Sequence, residues 1–116
     1  MTDKVVVLVT CGRAAEAGRI ARTLVEKRLA ACVNVPVVPV RSTYRWKGKV
    51  ETAREHLLVI KTSRKRFPAL RDEILRQHSY DVPEVLAVPI AAGSADYLAW
   101  LDESLRSPAP GKRRKR

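Results

Sequence analysis

Val40-Arg-Ser-Thr-Tyr-Arg-Trp-Lys-Gly-Lys-Val-Glu-Thr-Ala-Arg-Glu-His-Leu-Leu-Val-Ile-Lys-Thr62 is a strand, a reversal and a second strand. Val40, Ser42, Tyr44 and Trp46 share one face of the first arm, and Arg41, Thr43, Arg45 and Lys47 the other, as the two-residue period of a strand requires. Lys47-Gly48 marks the reversal, because glycine accepts the positive φ of a tight hairpin turn. The return arm runs from Lys49 to Thr62, with Leu57, Leu58, Val59 and Ile60 as its buried part. Upstream, the extended region reaches back to Ala31 through Pro36 and Pro39, residues that favour an edge or a bulge. Arms of about 14 to 16 residues would span roughly 45 to 50 Å, so the hairpin is expected to overhang its own domain. An uncovered ribbon carrying Tyr44 and Trp46 calls for a cover, and a second copy of the chain in a closed ring is the simplest one.

Working outward, Val5-Val-Val-Leu-Val9 reads as a central strand. Ala17, Ile20, Ala21, Leu24 and Val25 form the apolar stripe of a helix over Ala14 to Arg28. A second helix starts near Phe67 with Pro68 in its first turn and carries Leu70, Ile74 and His78. Val85 to Ile90 is a fourth strand, and Ser94 is placed to cap a last helix with Tyr97, Leu98, Leu101 and Leu105. The order β-α-β-β-α-β plus a terminal helix predicts an α+β, ferredoxin-like split β-α-β fold: an antiparallel sheet of order 4-1-3-2 with helices on one face.

The 116 residues suit one domain over 1–106, followed by a basic tail over 107–116 that is expected to be disordered. Five of the eleven net positive charges lie in the closing run 112–116, so the body is only moderately basic. No apolar run is long enough to cross a bilayer and no signal-peptide pattern precedes the first strand, which predicts a cytoplasmic protein without membrane contact. Cys11 and Cys32 belong to no zinc-type spacing and cap opposite ends of one helix, roughly 20 Å apart, so both are read as free thiols, Cys32 as packing. No G-x-S-x-G, H-E-x-x-H or phosphate-loop pattern occurs, and no enzyme is expected.

Arg28-Leu-Ala-Ala-Cys-Val-Asn34, Ser42-Thr-Tyr-Arg-Trp-Lys-Gly-Lys49, Leu58-Val-Ile-Lys-Thr62, Tyr80-Asp-Val-Pro-Glu84 and Asp96-Tyr-Leu-Ala-Trp-Leu101 together resemble the CutA divalent-ion tolerance family. The resemblance covers almost the whole domain. It implies a homotrimer built on paired β-ribbons, an architecture similar to the PII signalling proteins, and a role in tolerance to copper and other divalent ions. Family members commonly carry His-Pro-Tyr where this chain has His78-Ser79-Tyr80, and some place a cysteine where it has Val9.

The end of strand one, the hairpin and the loop after the second helix fall at one end of the sheet. Cys11, His78 and Asp81 are the candidate metal ligands there, since thiolate and imidazole suit copper and zinc. His78 also continues an apolar helix stripe, which reads first as a buried, hydrogen-bonded histidine. Tyr44, Arg45, Trp46, Glu55, Lys61 and Tyr80 are the candidate intersubunit and cleft residues, with Lys61 directed at Glu55 or at a neighbouring chain's ring. The expected ligand is copper or another divalent metal ion, or a small anionic ligand. The alternative is an RNA-binding module that uses the basic tail. The strands lack stacking aromatics, so tail contacts with polyanions would be nonspecific.

Overall fold

The computed structural model describes residues 1–106, and the basic tail discussed above lies outside them. In chain order the elements are β1 (Lys4–Cys11), α1 (Ala14–Glu26), β2 (Cys32–Asn34), β3 (Val40–Trp46), β4 (Lys49–Ser63), α2 (Phe67–Gln77), β5 (Leu86–Pro89) and α3 (Ala95–Leu105). The sheet is antiparallel in the order β2-β4-β1-β5, with β3 paired to the far half of β4. With β2 and β3 taken as one interrupted strand, this is the expected 4-1-3-2 arrangement.

The period of two in β1 sends Val5, Val7, Val9 and Cys11 to the helix face, where they pack with Leu58 and Ile60 of β4. Ala17, Ile20 and Leu24 of α1 and Leu70 and Ile74 of α2 close this core. Each fully buried branched side chain contributes about 1.5–3 kcal/mol. The opposite sheet face carries Val6, Leu8, Leu57, Val59, Leu86 and Val88 in register. Leu86 and Val88 stay 55% and 48% exposed there.

Helix α3 packs Leu101 and Leu105 on Ala31, and its C-terminal carbonyls are capped from two sides. Arg28 donates to the Ser104 carbonyl at 2.9 Å and Arg66 to that of Leu105 at 2.6 Å. Arg28 holds a left-handed φ of 58° just past α1, a position usually given to glycine; there its guanidinium reaches α3. Ser94 sits at the N-cap position with extended dihedrals, but its side chain makes no capping bond. At the other edge, Lys4 is buried against the carboxylates of Asp3 and Asp102 at 2.5 and 3.2 Å.

The interruption expected at Pro36 and Pro39 is wider than the arm lengths drawn from the sequence allow for. Pro36 and Pro39 divide the upstream arm, leaving a three-residue β2, a gap over 35–39 and a seven-residue β3. Only β4, at 15 residues, runs the full length. The overhang is therefore seven residue pairs, Val40↔Glu55 to Trp46↔Lys49, or roughly 23 Å of ribbon. Lys47 and Gly48 close it with φ of 51° and 81°, both in the left-handed region that a two-residue hairpin turn demands. The molecule is elongated accordingly, 52 × 29 × 26 Å. Among the described residues no helix is long and apolar enough to cross a membrane.

Candidate functional site: a buried Cys-Glu-His group behind an open cleft

Strand β1 ends at Cys11 and α2 ends at His78, and the sheet order brings these two chain ends together. The His78 side chain is fully buried. The Tyr80 backbone N–H donates to its Nδ1 at 3.1 Å, so the proton belongs on Nε2, which donates to the Thr10 carbonyl at 2.8 Å. Both ring nitrogens are thereby used. Cys11 Sγ lies 3.7 Å from the same Nε2. Glu16, in the first turn of α1, stands 3.5 Å from Nδ1 and accepts from the backbone N–H and hydroxyl of Ser79 at 3.4 and 3.2 Å.

Cys11, Glu16 and His78 each offer a ligand atom within 4.8 Å of the others, a donor set of the type copper and zinc use. A metal bound there would have to displace a proton and a hydrogen bond that the group holds as folded. Burial, followed by the nearby Glu16 and Glu55 carboxylates, pushes the Cys11 thiol up to about 11, so it carries its proton at neutral pH. His78 would have to give up its bond to Thr10 before Nε2 could coordinate. The group acts as a hydrogen-bonded lock joining β1, α1 and the segment after α2.

Tyr80 leads from this lock to the surface. Its ring stands 4.8 Å from that of His78, and its hydroxyl donates to Glu55 on β4 at 2.8 Å. Burial and then the Glu55 carboxylate raise the phenol above its ordinary value. Gly12 makes this route possible: a Cβ there would lie 2.9 Å from the Tyr80 hydroxyl, closer than packed atoms tolerate. Beyond Tyr80 opens a cleft of about 740 Å³ between the ribbon and the 79–84 segment, a size that suits a small ligand. Tyr44, Trp46, Glu55, Tyr80 and Asp81 line it. Tyr44 and Trp46 remain 41% and 44% exposed on its wall.

Several expected site residues fall elsewhere. Asp81 lies along the cleft and not with Cys11 and His78; Glu16 supplies the carboxylate of that group. Arg45 faces away from Tyr44 and Trp46 and donates to the Gly48 carbonyl at 3.4 Å. Lys61 does not approach Glu55. Six residues of extended strand, roughly 20 Å, separate the two, and because β2 pairs beside it, Lys61 donates instead to Asn34 Oδ1. Glu16 was legible in principle: Glu16, Ile20 and Leu24 follow one another at four-residue spacing, which puts a carboxylate on the buried stripe of α1.

A family model for the CutA1 divalent ion tolerance protein matches residues 5–104. The chain belongs to the CutA1 divalent ion tolerance family. The divalent-cation tolerance protein CutA of Thermus thermophilus is 48% identical over 85% of this chain and 95% of its own length. That of Archaeoglobus fulgidus is 41% identical over the same shares. The Archaeoglobus structure superposes with a TM-score of 0.85 at 40% identity, covering 89% of this chain and 99% of that one. CutA1 from Oryza sativa gives 0.85 at 43% identity, covering 90% and 95%. The resemblance carried by the sequence motifs is thus confirmed. The cytoplasmic expectation is overturned: the Archaeoglobus protein is described as periplasmic, and the CutA proteins of rice and Arabidopsis thaliana as chloroplastic. CutA relatives are thus placed in more than one compartment.

Proposed function

We propose that this CutA protein serves divalent-cation tolerance as a homotrimer that binds its ligand, a divalent ion or a small molecule, in the cleft between ribbon and 79–84 segment, with a neighbouring subunit closing the open side. The observation that carries this reading is the pair Tyr44 and Trp46, two large rings left 41% and 44% exposed on the wall of an otherwise formed cleft. Soluble proteins normally cover such a surface. The uncovered apolar face over β1, β4 and β5 supports self-association independently, and a ring in which ribbons meet neighbouring subunits suits a sensing role of the PII type.

An ion in the cleft would meet the oxygens of Glu55 and Asp81, with the Cys11, Glu16 and His78 lock lying behind it and holding Tyr80 in place. Calorimetric titration with copper, zinc and manganese separates the two locations. Glu55→Gln combined with Asp81→Asn should weaken binding about tenfold or more, as expected when charged ligands are neutralised, while Cys11→Ser leaves it unchanged. Loss of binding in Cys11→Ser with retention in the cleft variant would overturn this assignment.

A further inference from the structure

The ribbon has a second surface, which meets the cleft lining only at Thr43. Arg41 and Arg54 stand directly opposite each other in the β3–β4 register, and both are exposed. Like charges directly opposed across a strand pair cost stability. Among the described residues neither guanidinium has an acceptor, whereas Arg22, Arg28, Arg66, Arg71 and Arg76 each donate to an oxygen of the protein. The next pair along the same face is Thr43↔Thr52, with hydroxyls 3.3 Å apart, and the pair after it is Arg45↔Val50. That face therefore offers guanidinium and hydroxyl donors and no carboxylate.

Arg41 and Arg54 also border a concavity of about 330 Å³, whose remaining wall is Val38, Pro39 and Val40. Val38 is 73% exposed. A forked cation pair beside an apolar wall suits a tetrahedral oxyanion joined to a small organic body, because guanidinium matches phosphate oxygens two at a time and the wall takes the hydrocarbon. We propose that the outer face of the ribbon binds the phosphate group of a small phosphorylated compound, gripped by Arg41 and Arg54 with the hydroxyls of Thr43 and Thr52 beside them. A bound anion would offset the opposition of like charges across the strand pair. Arg41 and Arg54 lie on the opposite ribbon face from Tyr44 and Trp46, and Thr43 is the one residue that the site shares with the cleft lining; the arginine variants therefore test the anion apart from the ligand proposed for the cleft.

Calorimetry with inorganic phosphate and with phenyl phosphate tests it, at ionic strength held constant with chloride. The wild-type protein should bind both saturably, phenyl phosphate more tightly. Arg41→Ala and Arg54→Ala should each weaken binding about tenfold or more, and Lys65→Ala, which removes a remote exposed charge, should not. Without phosphate, Arg41→Ala should melt no lower than wild type, which separates loss of the site from loss of the fold. Equal binding by the Arg41→Ala/Arg54→Ala double variant would overturn the proposal, as would displacement of phosphate by chloride alone. So would a double variant that sediments as smaller species with its phosphate response intact, because the pair would then be meeting carboxylates of a neighbouring copy.

Discussion

Cys11 has lost both properties that make a cysteine reactive, exposure and an accessible negative charge. In a Cys32→Ser background, a thiol reagent at neutral pH should leave Cys11 unmodified in the native protein and modify it fully in denaturant. Native labelling at the rate of a free thiol would contradict the buried lock. Gly12 yields a sharper test, since its contact is with one atom of Tyr80. Gly12→Ala should cost about 1 kcal/mol through overpacking, at the low end of the range because Tyr80 is partly exposed and can yield. In a Tyr80→Phe background the offending oxygen is gone and the added cost should nearly vanish, a non-additivity that a denaturation cycle measures directly. At this scale the sequence was uneven. His78 was legible as a buried histidine from its helix stripe, but its lock to Thr10 and Tyr80 joins residues 68 positions apart or placed by a loop, which no local pattern encodes.

Helices α1 and α2 are clamped by Glu73, whose nearly buried carboxylate accepts from Gln77 at 2.6 Å, from Lys27 beyond α1 at 3.0 Å, and from Arg76. The bonds from Gln77 and Lys27 hold its pKa below the ordinary glutamate value of 4.5. A depressed folded-state pKa means that the contribution is complete above the unfolded value and is lost as pH falls through the folded one. Urea midpoints measured downward from pH 7 should therefore fall more steeply below about pH 4.5 in wild type than in Glu73→Gln. Parallel curves would assign the acid sensitivity to other carboxylates, Asp3 foremost, since its bond to Lys4 also lowers its pKa. Element boundaries were readable where chemistry is local: the alternation of Val40–Trp46, the Lys47-Gly48 reversal and the Phe67-Pro68 helix start all stand within a residue or two. The upstream arm was read as too long because its apolar residues continue through Pro36 and Pro39, where the missing N–H groups stop the ladder.

At the scale of the whole molecule, two uncovered surfaces among the described residues bear on assembly, the ribbon wall with Tyr44 and Trp46 and the sheet face with Leu86 and Val88. Charge placed on either should oppose assembly while sparing the core: Trp46→Asp and Leu86→Asp are expected to sediment as smaller species than wild type with their circular dichroism unchanged. Species of wild-type size in both variants would refute self-association through these surfaces. The fold class and strand order were recoverable from the sequence because each follows from periodicity and chain direction. Cellular location was not, since the folded domain has the same physics in a periplasm or a plastid. One feature of the architecture ties these surfaces to the interior. Since β4 alone passes through both sheet and ribbon, while the other arm is slack over 35–39, the finger is a cantilever rooted in a single beam. Its root is the His56–Leu57 portion of β4, paired with Cys11 and Thr10; any load that a neighbour applies at the tip arrives as torque on the same two residues that hold His78.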